Sequence, residues 1–542
     1  MITKEEWKKI RGSQNNPDHI MLTINGDART SMTVTWRACA DIESGYALYR
    51  KKGEKDWLRT DADMGRFDSD MDSSNIFWAH IKALEPGEEY EYTCGNDNFR
   101  SEIYDFKTAE NDLESFEFLC LSDTQGGGAE PPADYSVLNE VVREALRLHP
   151  DVRFILTAGD NTNCGQTDIQ WTGLLDGMKG IIEHIPFMMS VGNHDDMGFG
   201  NYFTLENKYY SEKVEYFGKQ FGGSYPDNGP EDWKTANYSF DYGNAHFCAI
   251  GLSGPEYVNE WLIEDTAKTD KTWKFGSHHF PICYQGSSLS CEDSYPMLRE
   301  GMEKFDVVFS GHEHCFSRSY PRRGDNLWDR PSEGTVFYNM GSGHRNPSNM
   351  LVTPKLWNCA YYPHEEELSM YTVARVQGKK LTLTSYLEGD KAVDQCVIDK
   401  ENDIVYPIAL APVFRTTRLM FKGADLGLCM RTLTCEEIDG LWYVPVAVMF
   451  RYTGFDVEMC KGAVTVSAFR RKATFTENSR TVITESGSFE MPSEVRRLQR
   501  GQLYVPADGI CKAFGMRYSF FERNNLLSFE HELEDKPVPE QP

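Results

Sequence analysis

Five apolar runs in the middle of this chain each end directly in side chains that bind metals. FEFLCLS (116–122) runs into Asp123-Thr124-Gln125, and FILTA (154–158) into Gly159-Asp160-Asn161. FMMSV (187–191) runs into Gly192-Asn193-His194-Asp195, and WKFGS (273–277) into His278-His279-Phe280-Pro281. DVVFS (306–310) runs into Gly311-His312-Glu313-His314. Short apolar runs of this kind read as buried strands, and open α/β sheets build their sites at the carboxyl ends of strands. Side chains from five loops can therefore converge. Asp123, Gln125, Asp160, Asn193, His279, His312 and His314 form a mixed oxygen and imidazole set, which suits Mn, Zn or Fe better than Ca or Mg. Seven side chains are too many for one ion. Two divalent transition metals about 3.5 Å apart, bridged by one carboxylate, would use them well. Gly159, Gly192 and Gly311 let the backbone turn sharply beside the metals.

Each piece alone has a plain structural reading. An Asp after a strand is usually a cap or a turn residue, and paired histidines can simply pack. GHEH says more, because alternate residues of an extended segment share a face. The argument rests on all five runs occurring in succession.

Three textures along the chain must position this set. Residues 17–108 hold short alternating runs separated by turns at Asn25-Gly26, Lys52-Gly53 and Pro86-Gly87, which predicts an all-β sandwich. AENDLES (109–115) reads as a linker. Residues 116–400 alternate buried strands with a helical stretch at 134–149, which Asp134 would cap, and so predict an α/β layered domain. Residues 413–535 carry a weak repeat: Tyr443-Val444-Pro445 recurs as Tyr504-Val505-Pro506, and each following helical run ends in a glycine, Gly454 or Gly515. A proline opening a helix and a glycine closing it predict a duplicated α+β unit. Residues 1–16 are left as an extension.

The chain has 542 residues, 56 Lys+Arg and 83 Asp+Glu, for a net charge of −27. So acidic a chain repels nucleic acid and anionic membranes at long range. An anionic substrate then needs local positive charge, which bound metals supply. No run reaches the ~18 apolar residues of a membrane span. The fourteen cysteines include no CxxC pair, and several, such as Cys120 and Cys248, sit in apolar runs as buried thiols. MITKEEWKKI lacks the apolar core of a signal peptide, so the expectation is a cytoplasmic protein, or a surface one if a leader precedes it. Oligomeric state is not legible.

The order SDTQ, GD, GNHD, HHFP, GHEH resembles the calcineurin-like metallophosphoesterases, and more closely the purple acid phosphatases and their bacterial relatives. SMTVTWRA and ALEPGEEYEYTCG resemble that group's fibronectin-like N-terminal domain. NYSFDYGNAHFCAIG resembles its strand pair before the histidine motif, and GHEHCFSRSYP extends that motif in the same manner. The C-terminal region is similar to the repeat domain that precedes copper amine oxidases. The resemblance implies a fibronectin-like sandwich, a central sandwich of two mixed sheets with packed helices, and a small C-terminal α+β domain. It implies that Asp123, Gln125, Asp160 and His314 hold a first metal and that Asp160 bridges. Asn193, His279 and His312 would hold the second. His194 would contact the phosphate and protonate the leaving group, oriented by Asp195. Two departures stand out: Asn163 occupies the position of the purple enzymes' tyrosinate, and Gln125 replaces a histidine ligand. The paired substrate histidines of plant members are also absent, and CYQGSSLSCED stands there.

The chemistry that follows is hydrolysis of phosphate monoesters by a metal-bridging hydroxide, with His194 as general acid. His278, Arg318, Arg345 and His344 are candidate contacts to the substrate phosphate. A phosphodiesterase or nucleotidase with the same site, and a non-catalytic surface protein, are the competing readings. The aromatic segment 197–236 would wall a pocket.

Overall fold

The computed structural model describes residues 3–126, 133–196, 214–285, 289–346, 357–362, 368–408, 417–421, 424–426, 434–451, 453–521 and 526–531. The chain folds as two compact units, one built mainly from Met1–Tyr284, Ser288–Asn349 and His364–Val413, the other mainly from Phe414–Pro542.

The first unit opens with a β-sandwich. One antiparallel sheet orders Asp18–Thr23, Met32–Cys39, Ser73–Ile81 and Asp63–Asp68; the other orders Leu58–Asp61, Tyr46–Lys51, Glu89–Gly95 and Tyr104–Lys107. Alternate residues Met32, Val34, Trp36 and Ala38 turn inward and meet Ala47, Tyr90 and Tyr92 of the facing sheet. Trp36 stacks on Phe77 with ring centroids 5.2 Å apart. Two features go beyond the sequence expectation. A helix, Lys4–Ile10, is started by a capping box between Thr3 and Glu6. Two short edge strands, Leu58–Asp61 in one sheet and Asp63–Asp68 in the other, are mostly exposed and so carry no apolar alternation to read.

Two mixed sheets then form the central domain. In one, Phe187–Ser190, Val152–Ala158 and Ser115–Leu121 run parallel, followed by the antiparallel strands Met370–Gln377, Lys380–Leu387, Lys391–Asp399 and Ile404–Ile408. In the other, Ala245–Ile250, Trp273–His278, Val307–Ser310 and Val336–Met340 run parallel, flanked by antiparallel Tyr238–Tyr242 and Phe316–Ser319. The sheets face each other through aromatic rings: Phe118 lies 5.2 Å from Phe247 and 5.4 Å from Phe275, and Phe154 lies 5.2 Å from Phe247. Ser277 Oγ donates to the Thr157 carbonyl at 2.9 Å, stitching the two sheets near the carboxyl ends of their strands. Both sheets therefore deliver their strand ends to one edge.

Helix Ser136–Leu148 packs Leu138, Val141, Val142 and Ala145 inward, as its periodicity predicts. Its N-cap is Tyr135 rather than Asp134; Asp134 instead accepts from the Ser136 amide at 2.9 Å, one residue earlier than expected. Among the described residues no helix is long and apolar enough to cross a membrane. Residues 197–213 of segment 197–236 lie outside the described residues.

In the second unit the two repeats pair with each other. Strand Leu441–Pro445 lies antiparallel to Leu503–Pro506, with Tyr443 opposite Pro506, Val444 opposite Val505 and Pro445 opposite Tyr504. Each strand leads directly into a helix, Val446–Arg451 or Ala507–Phe514. Each proline ends its strand instead of opening the helix, and Pro506 serves as N-cap. Gly454 and Gly515 both take left-handed backbone, at φ 82° and 69°.

Candidate metal centre and active site

The five loops meet around the carboxylate of Asp160. His279 Nε2 lies 3.1 Å from Asp160 Oδ2 and 3.0 Å from Asn193 Oδ1. Ligand atoms of Asp160, His279 and His312 all lie within 4.8 Å of one another. On the other side, His314 Nε2 is 3.2 Å from Asp123 Oδ1. The Gln125 amide sits between the two groups, 3.4 Å from Asp160 Oδ2 and 3.4 Å from His314 Nε2. Asp160 thus faces both sets, as a bridging carboxylate must.

The local backbone is built for this convergence. Asp123, Asp160, His312 and His314 adopt positive φ of 51°, 51°, 70° and 48°. Such residues cost about 1–3 kcal/mol each and gather at functional sites. The glycines beside them are required by space. A Cβ on Gly311 would fall 1.7 Å from Ser122 Oγ and 2.2 Å from Asp123 Oδ2, and one on Gly192 would fall 2.2 Å from Asp160 Oδ1.

Backbone acceptors orient the imidazoles. His279 Nδ1 donates to the Ala158 carbonyl at 2.9 Å and His314 Nδ1 to the Asn346 carbonyl at 3.0 Å. Both rings therefore turn Nε2 toward the cluster, the usual outer support of metal-bound histidine. Asp123 is fixed by the His312 amide at 2.8 Å and the Ser122 hydroxyl at 2.8 Å.

The electrostatics ask for a cation. Burial works against ionised Asp160, yet the imidazoles of His279 and His194 hold its carboxyl well below the ordinary range. Burial would lower His279, but the Asp160 carboxylate outweighs it and lifts the ring to about 9. His312, buried and beside the charged His279, falls to about 3. The donor set fits a metal: two buried carboxylates, three imidazoles aimed inward or adjacent, an amide oxygen, and a buried Gln125 Oε1 that has no hydrogen-bond partner.

His194 stands at the rim, its side chain 20% exposed, with Nε2 3.9 Å from Asp160 Oδ2. Its Nδ1 donates to the Asn163 carbonyl at 2.9 Å, so that carbonyl orients the ring in place of the expected Asp195. Asp195 holds the loop instead. Its carboxylate accepts from the amides of Gly192 at 2.9 Å and Thr162 at 2.9 Å and from the Asn161 side chain at 2.9 Å. Burial pushes Asp195 up to about 6.

The proposed phosphate contacts fare differently. Arg318 is 1% exposed and gives the Nε–Nη2 edge of its guanidinium to buried Asp394, at 2.7 and 3.1 Å. It belongs to the core of the sheet. His278 is buried with Nδ1 3.3 Å from the Ile250 carbonyl, while its Nε2 has no hydrogen-bond partner. Burial lowers it to about 4, which favours the neutral ring. Arg345 is exposed and paired with Glu388 at 2.9 Å. His344 does border the site: a Cβ on Gly126, next to Gln125, would fall 2.4 Å from its Cδ2. Sequence reasoning missed the carbonyl role of Asn163, and missed Ser122 and Ser342, whose hydroxyl donates to the Asp123 carbonyl at 2.9 Å. Contacts to and from main-chain atoms leave no signature in a sequence.

Residues 17–108 match the family described as Purple acid Phosphatase, N-terminal domain, and residues 116–316 match Calcineurin-like phosphoesterase. The central domain is thus a calcineurin-like phosphoesterase domain, of a family of metal-dependent phosphoester hydrolases. The chain therefore carries a purple acid phosphatase N-terminal domain followed by a calcineurin-like phosphoesterase domain. Purple acid phosphatase 15 of Arabidopsis thaliana is 25% identical over 280 residues, covering 46% of this chain and 50% of that protein. Acid phosphatase type 7 of Mus musculus is 24% identical, covering 58% and 74%. The chain spans about half the length of the first of these relatives. The solved purple acid phosphatase PPD1 from yellow lupin (Lupinus luteus) seeds has the same fold, with TM-score 0.59, 19% identity and coverage of 71% of this chain and 74% of that one.

Proposed function

We propose that the chain hydrolyses phosphate monoesters with two divalent transition metals, Mn, Zn or Fe, and with His194 as general acid. The supporting observation is the meeting of two donor sets on Asp160 Oδ2, with His279 Nε2 at 3.1 Å on one side and the Gln125 amide at 3.4 Å on the other. Asp123, Gln125, Asp160 and His314 would hold one ion, and Asp160, Asn193, His279 and His312 the other. When bound, the ions would neutralise phosphoryl charge and lower the pKa of water toward neutrality. The remaining work falls to side chains. Asp160 keeps the two sets in register. His194, fixed through Nδ1 to Asn163, gives its Nε2 proton to the departing oxygen. Asp195 holds the 160–162 and 192–195 loops together and so places His194.

The relatives named above carry phosphatase names, while Purple acid phosphatase 27 of Arabidopsis thaliana, 22% identical to this chain, is named probable inactive. Activity therefore has to be measured on this chain. The substrate is a small phosphorylated molecule. The same reading divides the chain into domains at 17–108, 116–400 and 413–535.

The test is the pair of initial rates on p-nitrophenyl phosphate and bis-p-nitrophenyl phosphate. A faster monoester supports the proposal. A faster diester replaces it with a phosphodiesterase, and no turnover with Mn, Zn or Fe replaces it with a binding protein.

A further inference from the structure

A second cluster of metal-type side chains lies outside the candidate catalytic centre, beneath a cleft of about 900 Å³. The cleft is bordered by Asp27, Arg29 and Glu110 of the N-terminal region and by His246 and Asp265 of the central domain. His246 and Cys248 are two apart on strand Ala245–Ile250 and share one face of it. Helix Pro255–Lys268 brings Asp265 to that face.

The three ligand atoms form a tight triangle. His246 Nε2 is 3.0 Å from Asp265 Oδ2, Cys248 Sγ is 3.4 Å from His246 Nε2, and Cys248 Sγ is 3.7 Å from Asp265 Oδ2. Tetrahedral zinc bonds imply nitrogen–oxygen, nitrogen–sulfur and oxygen–sulfur edges of roughly 3.3, 3.6 and 3.5 Å. The observed triangle departs from these by a few tenths of an ångström. The other face of the ring is prepared too. Asp241, opposite His246 across the strand pair, meets Nδ1 at 2.8 Å. A carboxylate on Nδ1 fixes the tautomer with Nε2 toward a metal.

We propose that His246 Nε2, Cys248 Sγ and Asp265 Oδ2 form a structural site for a zinc-type divalent ion, with the fourth position open to the cleft. His246 is 6% and Cys248 1% exposed, so the ion would tie the strand to the helix from inside. Burial opposes charge on His246, but the carboxylates of Asp241 and Asp265 outweigh it and raise the ring to about 11. The cluster therefore holds a proton where it would hold a metal. Entry of the ion displaces that Nε2 proton and the proton of the Cys248 thiol, leaving Nδ1–H on Asp241.

The proposed ligands of the catalytic centre include no cysteine, which gives a clean readout. The full chain is stripped of metal and loaded with Co²⁺. A thiolate-to-cobalt charge-transfer band is expected, lost in Cys248→Ser. His246→Gln keeps the thiol in place and should also lose the band, which covers the case of a poorly folding Cys248→Ser. Zinc-loaded Cys248→Ser should carry about one equivalent less zinc than the parent. No band in the parent, or a band of full strength in either variant, would overturn the site.

Discussion

Asn193 Oδ1 and Asp160 Oδ2 both lie within 3.1 Å of the same atom, His279 Nε2, although the three residues come from three loops. That shared atom marks where a cation belongs. Replacing Asp160 by Asn keeps the shape and removes the bridging charge. Turnover should fall by roughly 10³-fold, the several kcal/mol that metal polarisation contributes. The measure is kcat on p-nitrophenyl phosphate with folding checked by circular dichroism; an unchanged rate would contradict a bridging role.

Gly311→Ala is predicted to damage the site from a neighbouring position. Its methyl would lie 1.7 Å from Ser122 Oγ and 2.2 Å from Asp123 Oδ2. Overpacking of this kind costs about 1–3 kcal/mol. Asp123 must give way, so metal affinity should fall along with stability. Thermal unfolding and metal titration together check this, and parent-like affinity would count against the placement of Asp123.

His194→Ala should reduce kcat by about 10²–10⁴-fold on an alkyl phosphate, the usual worth of a general acid. The loss should be much smaller on p-nitrophenyl phosphate, whose leaving group needs little protonation. Equal losses on both substrates would show that His194 binds phosphate without transferring a proton.

Arg318→Met should destabilise the fold and leave catalysis per folded molecule intact. It strands Asp394, now bound by two guanidinium contacts at 2.7 and 3.1 Å, in the interior. Removing one partner of a buried pair costs about 3–5 kcal/mol. A large fall in kcat at unchanged stability would return Arg318 to the active site.

His19 sets an acid limit on stability. Its side chain is 4% exposed, and burial followed by the nearby Arg37 charge lowers it to about 4. The unfolded chain takes up a proton on this ring near pH 6.5 and the fold does not until near 4. Stability from this group is therefore complete above pH 6.5 and declines as pH falls to 4, by up to about 3 kcal/mol. His19→Gln should show a shallower fall in Tm over that window; parallel curves would contradict the burial argument.

Much of the site could be read from the sequence because each ligand directly follows its strand, so contiguous motifs carry the convergence. What stayed hidden has physical reasons. His278 and His279 are adjacent on an extended chain and must point to opposite sides, so at most one can reach the centre. The motif alone does not say which. Arg318 looked like a phosphate contact because its partner, Asp394, lies 76 residues away. The anchor of His194 is a main-chain carbonyl, so no side chain announces it. The sandwich and the α/β layers were legible from periodicity, but the two exposed edge strands at 58–61 and 63–68 have no buried face to betray them.

The central claim is most directly tested by metal titration of the stripped Cys248→Ser chain, which removes the second proposed site from the count. Mn²⁺, Zn²⁺ or Fe²⁺ is added back while p-nitrophenyl phosphate hydrolysis is followed. The account predicts that the rate recovers fully at about two equivalents per chain and that Asp160→Asn in the same background stays roughly 10³-fold slower. Full activity without added metal, or none at any metal loading, would contradict it.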